Sequence, residues 1–211
     1  MLKDYINKEN KLNRKEFIII LFLVAIISGI FGWVYEVIFY YLNSGLKQVY
    51  LRGGNYLPWI NIYMYGSFLI CFLTYKLRKH PLLVFIVSAI STGILEYFSG
   101  LVLYGILGWV KCWDYNQEIL NFGNIDGYVC LRSVTVFGIC GLILIYAVLP
   151  ILMKVVKKVN IKKMLIISSV LFTIFIGDEI YNRLSLDNYF PIPNATDFYK
   201  SKGFKYIYFS D

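Results

Sequence analysis

Long apolar segments separated by short polar ones form the main pattern of this chain. A helix needs about 20 apolar residues to cross the roughly 30 Å hydrocarbon core of a bilayer. Five segments qualify, at residues 17–42, 57–77, 82–107, 128–153 and 164–181. Their apolar residues are continuous rather than alternating, which indicates helices and not the strands of a barrel. The pattern therefore predicts an all-α, polytopic membrane bundle of about five transmembrane helices.

Lysine and arginine are concentrated in three of the polar segments: the N-terminal segment, residues 76–79 and residues 154–163. The segments between them hold only Lys47 and Arg52, and then Lys111. Because cytoplasmic loops are rich in Lys and Arg, we expect the N-terminus in the cytoplasm and the C-terminus outside. The polar loop between the third and fourth spans then lies outside.

Composition supports a membrane protein. The 211 residues are 58% hydrophobic and 16% charged, with a net charge of +8, whereas a soluble domain of this length carries more charge. The cations cluster at the ends of the apolar segments, which fits membrane topology better than nucleic-acid binding. Abundant Ile and Lys with scarce Ala indicate an AT-rich bacterial genome, so we expect a multi-pass protein of a bacterial cell membrane.

Charged residues within the predicted spans, apart from Lys76 at the end of a span, fall in the outer halves. They are Glu36, Glu96, Arg132, Asp178 and Glu179, and Arg52 and Asp114 join them from outer loops. Because a charge inside a membrane costs several kcal/mol, such residues indicate a function or an internal partner. Three interpretations stay open: pairing that holds the bundle together, a ligand or catalytic site, and interface residues in contact with water. The acidic excess favours a cation or a proton over an anion.

The loop CWDYNQEILNFGNIDG, residues 112–127, is polar between two apolar runs. We expect it to pack as a lid over the outer site, with Trp113 and Tyr115 at the interface and Asp114 facing Arg52 or Arg132. Asn124 and its neighbouring Asn and Gly residues suit irregular backbone. The alternative is a solvated hairpin. Whether Cys112 and Cys130 pair is open.

Several motifs together resemble the bacterial CmpB-like family of type IV ABC-transporter permeases. They are FGWVYE with Glu36, LRGG with Arg52, LPWINIYMYG, LEYFSG with Glu96, CWDY with Asp114, and LNFGNIDGYVCLRS. They agree in order over about residues 17–149. The chain is similar to a divergent member, because Asn61 stands where the family has Pro and Tyr128 where it has Arg. On this basis residues 1–153 form the CmpB-like region with four spans, and residues 154–211 a basic cytoplasmic loop, the fifth span and an extracytoplasmic tail.

The resemblance implies a transport-associated membrane protein, a permease component with an outward-facing polar site. The alternatives are a membrane enzyme or lipid-binding protein that uses outer carboxylates, and an accessory or scaffold subunit. Partners to expect are the lipid bilayer, a cytoplasmic ATPase and further copies of the chain, without nucleic acid, cofactor or metal. The chain has no P-loop motif of its own. The candidate ligand-binding or structural cluster is Glu36, Arg52, Glu96, Trp113, Asp114, Tyr115, Asn124 and Arg132.

Overall fold

The computed structural model describes residues 5–6, 12–109, 111–186 and 193–206. It confirms the predicted helical bundle. The helices are α1 (Arg14–Asn43), α2 (Asn61–Thr74), α3 (Pro81–Gly100), α4 (Leu131–Ile143), α5 (Leu149–Lys158), α6 (Ile161–Leu186) and α7 (Ala195–Ser201). Two short strands, β1 (Tyr50–Leu51) and β2 (Lys205–Tyr206), pair in parallel. Lys3, Lys8 and Lys11 of the orientation argument, and parts of the predicted tail, lie outside the described residues.

Four helical segments of the described chain are long and apolar enough to cross a membrane: Arg14–Asn43, Pro81–Ile106, Leu131–Lys158 and Ile161–Leu184. Two of them include π-helical turns, Leu101–Ile106 after α3 and Leu144–Val148 between α4 and α5. Pro150 follows the second turn, and its ring and missing N–H disturb the regular hydrogen-bond ladder there. The predicted bundle of multiple spans is confirmed, whereas the count of five and the orientation stay predictions.

The second predicted span begins later than expected. Helix α2 starts at Asn61 and not at residue 57. Pro58 disfavours helical backbone at Leu57. The N–H groups of Tyr56 and Leu57 bind the Asp178 carboxylate at 3.0 and 3.1 Å instead of starting a helix. The predicted start of this span was wrong. The apolar sequence continues through this segment, but its backbone binds Asp178 of α6 and does not form a helix.

Contacts between the helical segments and the loops define two distinct ends of the described bundle. At one end, called the loop end, β1 and the loop of residues 107–130 lie close together, since Arg52 donates to the Cys112 carbonyl. At the other, called the basic end, Arg78 donates to the Tyr5 carbonyl and Tyr146 to that of Arg78. The lysines of α5 and the start of α6 lie at this basic end.

Glycines allow the helices to approach closely. A Cβ at Gly138 would lie 2.6 Å from the Phe85 ring, and one at Gly141 would lie 2.2 Å from Ser88 Oγ. Helix α4 therefore packs directly against α3, in the small-residue manner of membrane helices. Ser88 of α3 is fully buried in this contact.

Candidate functional site

A polar cavity lies inside the bundle near its loop end. Its volume, counted as the space open to the centre of a water molecule, is about 60 Å³. One water needs roughly 10–15 Å³ by this measure, so the cavity has room for on the order of four to six waters or a small chemical group. Its charged and hydrogen-bonding lining consists of Tyr35, Glu36, Tyr40, Arg52, Tyr63, Glu96, Trp113, Tyr115, Glu118, Arg132 and Ser133.

One ion pair joins the residue that follows β1 to helix α1. Arg52 Nε donates to Glu36 Oε2 at 2.6 Å, and Arg52 Nη2 donates to the Cys112 carbonyl at 2.6 Å. The guanidinium also stacks 4.5 Å from the centre of the Tyr40 ring. Burial alone lowers the pKa of Arg52, but the Glu36 carboxylate and the neighbouring Tyr40 together outweigh it, so the pKa lies above its ordinary value. Arg52 therefore stays charged and ties three segments together.

A second ion pair joins the loop to helix α4. Arg132 Nη2 and Glu118 Oε2 are 2.5 Å apart, and Arg132 Nη1 donates to the Ile119 carbonyl at 2.7 Å. Tyr40 donates to the other oxygen of Glu118 at 2.7 Å. The sequence analysis missed Glu118 because an acid in a polar loop has no unusual surroundings in the sequence. The only available signal was that Arg132, inside an apolar run, required a partner.

Among the carboxyl groups that line the cavity in the described chain, Glu96 is the one whose hydrogen-bond partners are all hydroxyl groups. Tyr115 donates to Glu96 Oε1 at 2.6 Å, and Ser133 donates to Oε2 at 2.7 Å. No described cation lies within ion-pair distance of Glu96, which is 5% exposed. Burial, and then the Glu96 carboxylate, raises the pKa of Tyr115 well above its ordinary value, so this phenol remains a donor.

The 107–130 loop covers the cavity at the loop end. Trp113, Tyr115 and Glu118 all line the cavity, and Tyr115 is only 7% exposed. The packing agrees with the lid interpretation rather than with a solvated hairpin. Trp113 Nε1 donates to the Tyr128 carbonyl at 3.0 Å, which fixes the ring within the loop. Tyr115 points into the bundle instead of resting at the interface as expected.

Asp114 does not face an arginine, so that part of the prediction was wrong. Its Oδ1 accepts from Asn116 N at 2.9 Å, and its Oδ2 lies 3.4 Å from Lys111 Nζ. A carboxylate that binds the backbone two residues on closes an Asx turn. Both arginines meanwhile bind the glutamates described above. Asp114 therefore shapes the loop and is absent from the described lining of the cavity.

Asn124 also acts within the loop. It donates to the Asn116 side chain at 2.6 Å and accepts from Gly127 N at 2.9 Å. Gly127 has a φ of +76°, and a Cβ there would lie 2.4 Å from Asp114 Oδ1. These contacts fold the loop back on itself and bring Tyr115 over Glu96.

The remaining sequence candidates lie away from the cavity. Asp178 binds the backbone before α2, and Glu179 accepts from the Asn55 side chain at 2.8 Å. Cys112 and Cys130 are not joined in a disulfide. In the described residues, no group of three or more His, Cys, Asp or Glu side chains is arranged to hold a metal ion. The cavity therefore brings together Glu36, Arg52, Glu96, Trp113, Tyr115 and Arg132 of the predicted cluster.

Comparison with known proteins agrees with the motifs. A family model described as "Putative ABC-transporter type IV" matches residues 20–182, which include every charged residue of the described cavity lining. The match also extends beyond the predicted limit near residue 149 into α6. No curated protein and no solved structure matches the chain.

Proposed function

The chain belongs to the type IV ABC-transporter family, and we propose that it is a permease component of such a transporter in a bacterial cell membrane. In this proposal the loop end faces outward and the polar cavity is the site where the transported molecule binds. The basic end faces the cytoplasm, where a separate ATPase subunit supplies the energy, because this chain has no P-loop.

The polar cavity is the observation that carries the proposal. Charged side chains within a membrane protein are expensive and characteristically mark a path for a substrate or ion. Here three carboxyl groups and two guanidinium groups converge on one small space from α1, α3, α4 and two loops. Charged groups that converge in this way support a binding site more than they support interface residues in contact with water.

The basic end offers a surface for the ATPase. The side chains of Lys154, Lys157 and Lys158 on α5 are exposed, whereas Met153 and Val156 of the same helix are buried. After a short turn, α6 begins with further exposed lysines, and the Asn160 side chain accepts from Lys162 N at 2.9 Å. This positively charged surface at the junction of α5 and α6 suits an acidic patch on a partner, because charge complementarity favours encounter and orientation.

Affinity purification tests the proposal. The tagged full chain, extracted in mild detergent, should capture an ATPase that contains a P-loop. The double variant Lys157→Gln/Lys158→Gln should reduce capture several-fold. It leaves Lys154, Lys162 and Lys163 in the same basic segment, so the topology signal is retained. The control Lys47→Gln/Lys205→Gln neutralises two exposed lysines at the loop end and should have no effect. Capture of no P-loop ATPase, or equal loss in both variants, would contradict the proposal.

A further inference from the structure

An apolar groove continues the polar cavity along one cleft between α1, α2 and α4. Its volume, measured in the same way, is about 170 Å³, and its lining is almost entirely apolar. Tyr63 and Phe137 line both spaces, and their ring centres are 5.6 Å apart. These two rings form a neck between a polar chamber at the loop end and an apolar groove deeper in the bundle.

The helices themselves show that this is one cleft. On α1 the lining residues are Phe39 and Tyr35 in the polar chamber, then Phe31 and Ile27 in the groove. They are four residues apart and therefore lie on one helix face. On α4, Ser133 likewise lines the polar chamber, and residues further along the helix line the groove. The cleft thus changes from polar to apolar along its length without changing its walls.

The groove has the length of one lipid chain. From Phe137 to Val148 the helix rises about 16 Å, roughly half of the ~30 Å hydrocarbon core, which is the depth of one leaflet. Ile27, Phe31 and Ile143 at its rim are 41, 58 and 52% exposed. These exposed side chains open the groove sideways towards the surrounding lipid, so a chain can enter from the bilayer.

The polar chamber has the character to hold a small cationic group. Glu36, Glu96 and Glu118 line it against Arg52 and Arg132, and each arginine already binds one of the glutamates. A phosphate there would meet three carboxyl groups and two neutralised arginines. An ammonium group would meet Glu96, which the described chain leaves without a cation.

Two further groups in the chamber are available to a ligand. The hydroxyls of Tyr35 and Tyr63 have no protein hydrogen-bond partner among the described residues. A primary ammonium has three N–H donors, and two phenol oxygens with one carboxylate supply three acceptors. The limited chamber volume admits a head of a few atoms rather than a sugar or a nucleotide.

We propose that this cleft binds a single-chain membrane amphiphile with a primary ammonium head, the head beside Glu96 and the chain in the groove below Tyr63 and Phe137. This inference rests on the proposed function and names the class of its substrate. The two are tested by different measurements, since ATPase capture does not depend on the cleft.

Photo-crosslinking in phosphatidylcholine vesicles tests the inference. The probe is tetradecylamine with a diazirine in the middle of its chain, added to the reconstituted full chain. Labelled peptides should come from the α1 and α4 walls of the groove. Unlabelled tetradecylamine should compete at concentrations about tenfold lower than tetradecanol does, as expected when a charge-assisted hydrogen bond replaces a neutral one. Tetradecyl phosphate should compete more weakly than either.

Matched variants separate the groove from the lipid-facing surface. Cys140→Trp fills the groove and should abolish its labelling. Ile139→Trp adds the same ring to the neighbouring position, which is 48% exposed and absent from the groove lining, and should not. Glu96→Gln should remove the preference for the amine over the alcohol, while the alcohol still competes, which shows that the cleft is intact.

Three results would overturn the inference: labels spread over the whole lipid-facing surface, equal loss in the two tryptophan variants, or a phosphate that competes as well as the amine. Any of these with ATPase capture intact would overturn the substrate class alone. Failure to capture an ATPase while labelling succeeds would instead overturn the proposed transporter role and leave a lipid-binding protein.

Discussion

Tyr115→Phe is the sharpest test of whether the loop is held by its contact with Glu96. The substitution removes only the phenol oxygen, which donates to Glu96 Oε1 at 2.6 Å. The ring, which lies 5.3 Å from the Arg132 guanidinium, stays in place. Glu96 then retains the Ser133 hydrogen bond and loses one of its two partners.

The expected cost follows from the environment of the bond. A hydrogen bond to a charged group contributes about 1.5–3 kcal/mol in a soluble protein. Hydrogen bonds between membrane helices average about 0.6 kcal/mol and reach about 1.7. The adjoining chamber has room for water, which can partly replace the lost donor. We therefore expect Tyr115→Phe to lower the free energy of unfolding by about 1–2 kcal/mol.

Reversible SDS-induced unfolding in mixed micelles measures this difference. Tyr97→Phe is the matched control, because the Tyr97 hydroxyl donates to Asp126 at 3.2 Å on an exposed surface. Exposed contacts of this kind contribute little, so the control should change stability by less than about 0.5 kcal/mol. Equal effects of the two variants would refute the idea that Tyr115 anchors the loop over a buried carboxyl.

Two further predictions concern topology and packing. Ile119→Cys in a background without Cys112 should react with an impermeant thiol reagent in intact cells, because the loop end faces outward in the proposed orientation. His80→Cys should react only after lysis. The reverse pattern would disprove this orientation. Gly32→Ala should destabilise the protein by about 1–3 kcal/mol, because its Cβ would lie 2.2 Å from Tyr63 Cγ. Gly177→Ala is the control and should not destabilise it, because a Cβ there would have nothing within 4 Å. Equal stability losses in the two variants would contradict this packing.

The sequence predicted helix bounds well where apolar content alone decides them. Helix α1 and the α3 segment agree with the predicted spans to within a few residues. The bounds differ where polar contacts decide them. Helix α2 starts late because Asp178 holds the backbone before it. Helix α5 continues to Lys158 and α6 begins at Ile161, since helices extend into the basic segment beyond the apolar stretch.

The candidate site was predictable only in part. Glu36, Glu96 and Arg132 could be found because a charge within an apolar run is unusual. Glu118 could not, because it lies among other polar residues of the loop. The sequence also suggested an arginine partner for Asp114, but it gives no side-chain direction in an irregular loop. That direction depends on the turn that Asp114 closes with Asn116 and on the left-handed Gly127.

The carboxyl groups of the cavity differ in how far pairing alone accounts for them. Glu36 and Glu118 each bind an arginine, so holding the segments together is a sufficient explanation for them. For Glu96 the same explanation is incomplete, although its hydrogen bonds join α3 to α4 and to the loop. Burying a carboxylate costs several kcal/mol, which only an excellent set of partners repays, and two hydroxyl donors repay only part of it. A glutamine or a leucine would join α3 to α4 at lower cost. This buried acid, beside a chamber whose Tyr35 and Tyr63 hydroxyls have no described partner, is the observation on which the proposed binding of a cation rests.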